Sequence, residues 1–378
     1  MNELEKYVIE KRRLLHQSPE IGFACEATSA YIEKELKALG IKDIKNAGKH
    51  SLVAVIENGG NKTFGLRADF DALMIEEETG LAFSSKNKGY MHACGHDAHA
   101  AMLLGAAKYL QENKNEWQGT VKLIFQEAEE GPDPGGAYYL VQTDLLKDVD
   151  EFYALHVSPA YLSGELAINH GPALAAADTF NITFKGVGTH AAYPHLGIDP
   201  IMMQAEFITR LQTIVSRKTD PFQTAVVSVG KVSAGTTFNI IPDKALLSGT
   251  VRTFSEECRT RIEKDLMALA KTTSEYYGGS YELEYLRGYD PTINDFDCAN
   301  KVIAVSKTIF DKIIILEQAS MGAEDFSRYL TINKGAIAWL GVGHKDKENH
   351  NIHNSRFNLN EEALIKGSNV FINIVKKG

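Results

Sequence analysis

Ten residues constrain this chain more than any others: Met91-His92-Ala93-Cys94-Gly95-His96-Asp97-Ala98-His99-Ala100. They hold three histidines, a cysteine and an aspartate in a chain with only 12 His and 4 Cys. An alanine- and leucine-rich run, Ala100 to Leu110, follows directly and reads as a helix. Thiolate and imidazole donors at a strand-to-helix junction fit a metal site. The plainer reading is a helix cap with surface histidines, and the density of donors argues against it. No three of them complete a site, so the remaining ligands must come from elsewhere.

The 378 residues exceed one ordinary core, so two domains are expected. A hydrophobic fraction of 44% and a charged fraction of 24% are those of a soluble globular protein. The net charge of −9 argues against a nucleic-acid partner, which would require a basic face. No run approaches the roughly 20 apolar residues of a membrane span, so no membrane partner is expected. The stretch Met1 to Lys11 is charged and lacks the apolar centre of a secretion signal. Cys25, Cys94, Cys258 and Cys298 are scattered, as reduced thiols are, and the expected compartment is the cytoplasm.

Apolar spacing predicts helices over residues 3–17 and around Tyr31–Leu39. Strands follow at Ser51–Ile56 and Thr63–Arg67, and the Asn58-Gly59-Gly60-Asn61 turn between them marks a hairpin. Thr120–Gln126 is a near-continuous apolar strand, as when both faces are covered. A short strand, Phe152–Leu155, ends at His156. Asp69, Glu129, Glu130 and His156 thus each sit just past the carboxyl end of a predicted strand, where open α/β sheets bind ligands. From Pro172 to Tyr289 the order becomes β-α-β-β-α-β, the ferredoxin-like unit, with Asp199 and Pro200 opening its first helix. After Asn294 the α/β order resumes, and a loop after the last strand carries His344, His350 and His353. The expected domains are therefore 1–171 and 290–378 together, with 172–289 inserted.

The crevice offers Cys94, His96, Glu130, His156 and one histidine of the last loop. Five such ligands are too many for one tetrahedral zinc with an open position. They suit two divalent ions, which polarise a carbonyl and lower the pKa of bound water towards ~7. The pair Glu129-Glu130 offers one carboxylate for metal and one for proton transfer.

These residues carry a resemblance to the amidohydrolase branch of the aminoacylase and carboxypeptidase G metallopeptidase family. It rests on His16–Phe23, Arg67–Leu73, Met91–His99, Gln126–Gly131, Gly188–His195, Asn239–Pro242, Gly322–Phe326 and Ile352-His353-Asn354, in order along nearly the whole chain. The resemblance implies an α/β, zinc-peptidase-like catalytic domain with a mixed sheet flanked by helices, and an inserted ferredoxin-like α+β lid that also forms a dimer contact. It implies Cys94, His96, Glu130, His156 and His353 as ligands of two divalent ions, Zn, Mn, Co or Ni. Glu129 is then the general base, and Asp69 the acidic residue that orients the metal site. His190 is implied as an oxyanion donor, worth roughly 3 kcal/mol by analogy with other such donors. Asn239 and Arg252 are implied to hold the substrate carboxylate, for which a bidentate arginine is suited; an ordinary strand-end salt bridge is the other reading of Arg252. His92, His99 and His195 are expected in supporting positions, and His16 in a structural turn. Where the family often has Pro, this chain has Glu127.

The implied activity is hydrolysis of the amide bond of N-acyl-L-amino acids, releasing a carboxylic acid and the free amino acid. The alternatives are an N-acetyldiaminopimelate deacetylase of lysine biosynthesis, a dipeptidase, and a non-catalytic metal-binding protein. The last would be expected to have lost a ligand or the base, and none is missing.

Overall fold

The computed structural model describes residues 2–378 and divides into two compact units. The larger takes the residues up to Ala173, Ile293–Ala319 and Asp325–Gly378; the smaller takes Leu174–Thr292 and Ser320–Glu324.

The larger unit is built on an eight-stranded mixed sheet. Its four central strands, Gly119–Gln126, Thr63–Asp69, Glu151–Leu162 and Gly335–Gly343, run parallel in that order. On one side Ser51–Asn58 pairs antiparallel with Gly119–Gln126, and Asp43–Ala47 lies beyond it. On the other, Glu165–Asn169 pairs antiparallel with Gly335–Gly343, and Lys312–Leu316 closes the sheet. The central strands are buried nearly throughout, which is why they read as apolar runs.

Two expectations need correction. Ser51–Asn58 and Thr63–Asp69 do not form a hairpin, because Gly119–Gln126 lies between them. The Gly59-Gly60 turn, with φ of 67° and 72°, carries the chain past one strand position, about 10 Å, rather than to the adjacent one. His156 is not past a strand end either. Its strand continues to Leu162, and His156 lies opposite Trp339 within the sheet.

The helix His96–Glu112 is buried along most of its length and packs against helices Glu3–His16 and Leu364–Lys377. Its alanines (Ala98, Ala100, Ala101, Ala106, Ala107) are fully buried, so small side chains allow close helix contacts. Truncating a fully buried leucine such as Leu104 to alanine should cost about 2–5 kcal/mol.

The smaller unit has the four-stranded antiparallel sheet Ala225–Ala234, Lys244–Thr253, Ala176–Lys185 and Ser280–Arg287, in that order. Helices Pro200–Thr213 and Glu256–Tyr277 pack on it through Phe180, Phe184, Phe207, Leu211, Ile262 and Leu266. This is the ferredoxin-like arrangement. Asp199 and Ser255 cap the two helices, accepting hydrogen bonds from the Ile201 and Cys258 N–H groups.

Candidate metal centre

The donor-rich decapeptide turns into its helix at Gly95, whose φ of 87° lies in the left-handed region. A Cβ there would sit 2.3 Å from Val157 Cγ2. Only glycine lets the Cys94–His96 turn come this close to the strand that carries His156. Cys94 Sγ lies 3.4 Å from His156 Nε2 and 3.4 Å from His353 Nε2. His353 Nε2 is 3.0 Å from Glu130 Oε1. Of the three histidines in the last loop it is His353 that reaches this cluster, held by its N–H on the Ala93 carbonyl. His350 has Glu348 as its nearest carboxylate, at 3.9 Å.

Three donor groups overlap here: Cys94 with His96 and His156, Cys94 with Glu130 and His353, and His96 with Glu129 and Glu130, each within 4.8 Å. Cys94 belongs to two of them. His156 donates Nδ1–H to the Val157 carbonyl at 2.7 Å, leaving Nε2 towards the thiol. His96 donates Nδ1–H to Asp71 at 3.2 Å, so that its Nε2 faces Asp69 Oδ2 at 3.8 Å and Glu129 Oε2 at 3.9 Å.

The carboxylate that holds the His96 ring is thus Asp71, a residue that sequence reasoning did not single out. Asp71 also accepts the N–H groups of Glu129 and Glu130, at 3.0 and 3.1 Å. One buried carboxylate therefore sets both a ligand ring and the turn that presents both glutamates. That turn passes through Ala128 at φ 54°, costly for a residue with a Cβ. Glu127 is fully buried and pins the turn from the other side, accepting the N–H groups of Lys49 and His50 at 2.8 and 2.9 Å.

Asp69 is held by Arg67 at 2.6 Å and by His99 Nδ1 at 2.6 Å. The second His99 nitrogen accepts the Val157 N–H at 2.9 Å, so His99 is buried with both nitrogens occupied and has no lone pair to offer a metal. Arg67 reaches on to Gln126 and Asp325, at 3.0 and 2.8 Å, and Asp325 also accepts from Gln126 and the Ala137 N–H. This gives Asp325 a structural place that its sequence position did not reveal.

The charges are unbalanced. Burial opposes charge on His96, yet Asp69, Asp71 and Glu130 outweigh it and raise its pKa to about 10. Burial raises Asp69 too, but Arg67, His96 and His99 hold it well below the usual carboxylate range. Burial pushes Asp71 up, and so does the charge of Asp69 and Glu130. Burial and the neighbouring Glu130, Glu129 and Asp69 push the Cys94 thiol well above its normal value. Burial lowers His156 to about 3, keeping it neutral. His96 Nε2 is buried and makes no hydrogen bond. Such an orphan demands an explanation, and a divalent cation is the species that answers both the unpartnered nitrogen and the excess of carboxylate. The donor set of thiol, imidazole and carboxylate fits that role.

Residues 65–377 match the family model described as Peptidase family M20/M25/M40. The chain belongs to this family. It is 39% identical over 371 residues to the N-acetyl-L-cysteine deacetylase of Bacillus subtilis (strain 168), covering 97% of this chain and 87% of that one. To the N-acyl-L-amino acid amidohydrolase of Geobacillus stearothermophilus it is 40% identical over 295 residues, covering 78% and 80%. A solved Bacillus subtilis structure, described as a dinuclear metal binding peptidase of family M20, superimposes with a TM-score of 0.86 at 32% identity, covering 99% of this chain and 98% of that one. Members of the M20 family are hydrolytic enzymes acting on amide bonds, so this chain is a metal-dependent hydrolase.

His190, Asn239 and Arg252 lie in the smaller unit. His190 pairs with Ile240 in a two-residue ladder, and the Asn239 carbonyl accepts the Ala191 N–H at 3.0 Å, so these two are neighbours. Arg252 hydrogen-bonds to Thr250 and to the Val251 carbonyl, and among the described residues no carboxylate pairs with it. Arg259 in the same unit is by contrast locked on Asp178 at 2.5 and 2.9 Å.

Proposed function

We propose that this protein hydrolyses the amide bond of N-acyl-L-amino acids at a centre of two divalent ions held by Cys94, His96, Glu130, His156 and His353. The observation that carries the reading is the overlap of donor groups at Cys94, with the Glu129 carboxylate beside the same His96 nitrogen. Ions bound there would polarise the scissile carbonyl and acidify a water. Glu129 is placed to take a proton from the water whose oxygen adds to the acyl carbon, and to deliver it to the amine nitrogen as the C–N bond breaks. Asp71 holds the His96 ring and the Glu129-Glu130 turn, and Asp69, fixed by Arg67, keeps negative charge beneath them. Thiolate and imidazole among the ligands favour Zn, Co or Ni over the harder Mg and Ca, and the Glu130 carboxylate keeps Mn in the set.

In the smaller unit, His190 is assigned to the carbonyl oxygen and Asn239 and Arg252 to the substrate carboxylate. That no carboxylate pairs with the Arg252 guanidinium among the described residues supports the second assignment over a salt bridge. The smaller unit, Leu174–Thr292 with Ser320–Glu324, is assigned as the lid that the sequence places at residues 172–289. A homodimer through it is supported by Ala225–Ala234, an exposed strand at the sheet edge that invites pairing. Among the described residues no helix is long and apolar enough to cross a membrane. Four buried cysteines, none bonded to another, support the cytoplasm.

Purified protein loaded separately with Zn, Mn, Co and Ni should hydrolyse hippurate and N-acetyl-methionine. A preference of a hundredfold for N-acetyldiaminopimelate would narrow the reading to that deacetylase. Cleavage of free dipeptides alone would replace it with a dipeptidase, and no hydrolysis with any ion would defeat it.

A further inference from the structure

The segment His16–Phe23 has no part in the chemistry above, yet it is tied down at every step. The Glu20 carboxylate accepts the Ala27 and Thr28 N–H groups at 3.2 and 2.7 Å, on the first turn of helix Glu26–Ala38. The Glu20 carbonyl accepts the Ala72 N–H at 2.7 Å, and Ile21 bridges to Ala72. Gly22 sits at φ 50°, and a Cβ there would lie 2.7 Å from the Gly131 carbonyl oxygen, on the residue directly after Glu130. This loop is therefore a wall built against the turn that presents the proposed ligand.

Between the wall and the turn lies a pocket of about 660 Å³. Its lining includes Ile21, Phe23, Met74, Ile75, Pro132 and Glu130 itself. Lys49 and Glu130 are its only charged lining residues. The Lys49 ammonium is drawn over the Phe23 ring at 5.6 Å, and Tyr139 packs edge-on against that ring, with centroids 5.6 Å apart. Met74 is 75% exposed at the pocket's rim, so its side chain can be changed without disturbing the core. The volume falls in the range of roughly 300–1,000 Å³ typical of small-molecule sites, which are mostly apolar with a few placed polar groups.

We propose that this pocket receives an apolar substituent flanking the scissile amide, and so selects N-acyl amino acids that carry a bulky apolar group. The inference rests on the amidohydrolase reading for its substrate class, and on the continuity of the pocket with Glu130 for its place. The group has two possible sources, a medium-length acyl chain or an apolar amino-acid side chain, and both present the same chemistry to the lining.

Two substrate ratios separate them: kcat/KM for N-octanoyl-glycine over N-acetyl-glycine, and for N-acetyl-leucine over N-acetyl-glycine. One ratio should exceed ten in the wild type and fall at least tenfold in Ala24→Trp, which fills the pocket from an exposed position. Met74→Ala, also on the surface, should lower the same ratio by a smaller factor. Titration of octanoate and of leucine into the metal-loaded protein gives a readout without turnover. The matching ligand should bind and lose at least tenfold affinity in Ala24→Trp. Ratios near one in the wild type, or ratios and affinities that neither variant changes, overturn the pocket. Binding that Ala24→Trp abolishes in a protein that cleaves no amide upholds the pocket and removes the amidohydrolase reading instead.

Discussion

The two ends of the same parallel strands solve opposite electrostatic problems. At the amino end, Glu151 opens the strand that carries His156 five residues later. It accepts from Lys62 at 2.9 Å, Lys301 at 2.7 Å and the Tyr153 hydroxyl at 2.8 Å, with Lys334 at 3.7 Å. That end neutralises its own charge. At the carboxyl end, Asp69, Asp71, Glu129 and Glu130 gather with Arg67 as the nearest permanent cation, and Arg67 is already shared between Asp69 and Asp325. Buried His96 Nε2 stays without a hydrogen bond. A fold that satisfies one end of a sheet and leaves the other short of positive charge has reserved the second for something it binds.

The comparison breaks first if the carboxyl end needs nothing. Stripping the protein with a chelator should abolish hydrolysis. Returning Zn or Mn at about a hundred times its Kd should stabilise the fold by about 2.7 kcal/mol, read as a rise in Tm. His96→Ala should remove most of that rise. A stripped protein that none of the four ions stabilises would show the charge imbalance to be tolerated rather than used. The next effect in size is that of Glu129→Gln, which keeps shape and hydrogen-bonding atoms but loses the base. It should bind metal as before and lose about 10²–10⁴ in kcat. Near wild-type turnover would take the proton-transfer role away from Glu129. Asp71→Asn sharpens the contrast further. It keeps contact with the ring but weakens the charge behind it, and metal affinity should fall about 10–100-fold, measured by competition with a chromogenic chelator. An equal fall in Asp69→Asn would show that the two carboxylates act as one reservoir of charge.

The parallel core was legible because strands covered on both faces are apolar in an unbroken run, as in Val121 and Leu123–Phe125 around a single lysine. The false hairpin shows the limit of that legibility. Asn58–Asn61 signals a turn, but which strand fills the neighbouring position is decided by distant residues, here Gly119–Gln126. Asp43–Ala47 was missed because it is an exposed, polar edge with no alternation. Glu165–Asn169 was missed as a short segment between stronger signals. At the site, the density of histidine and cysteine announced the ligands. The pairing of Asp71 with His96 was invisible because Asp69 and Asp71 stand two residues apart in one motif, and only the fold settles which carboxylate meets which ring.

The smallest effect belongs to the self-sufficient end and is a matter of stability alone. Burial would raise the pKa of Glu151, but hydrogen bonds from Lys301, Lys62 and Tyr153 outweigh it and lower it to about 2. A carboxylate whose folded pKa lies below its unfolded value of about 4.3 adds stability that is fully present above that value. The contribution is lost as pH falls from there towards 2. Because the lysines are partly in solvent, the full shift overstates the energy, and roughly 1–2 kcal/mol is expected. Denaturant unfolding of Glu151→Gln should therefore show that loss at pH 7 and a much smaller one near pH 2.5, where the wild type has surrendered part of the same term. The stabilisation by added metal at pH 7 should be the same in Glu151→Gln as in the wild type, since the two ends share strands but not charges. If the substitution lowered metal affinity as much as Asp71→Asn does, the two ends would form one coupled network, and the contrast between a satisfied end and a reserved one would have to be abandoned.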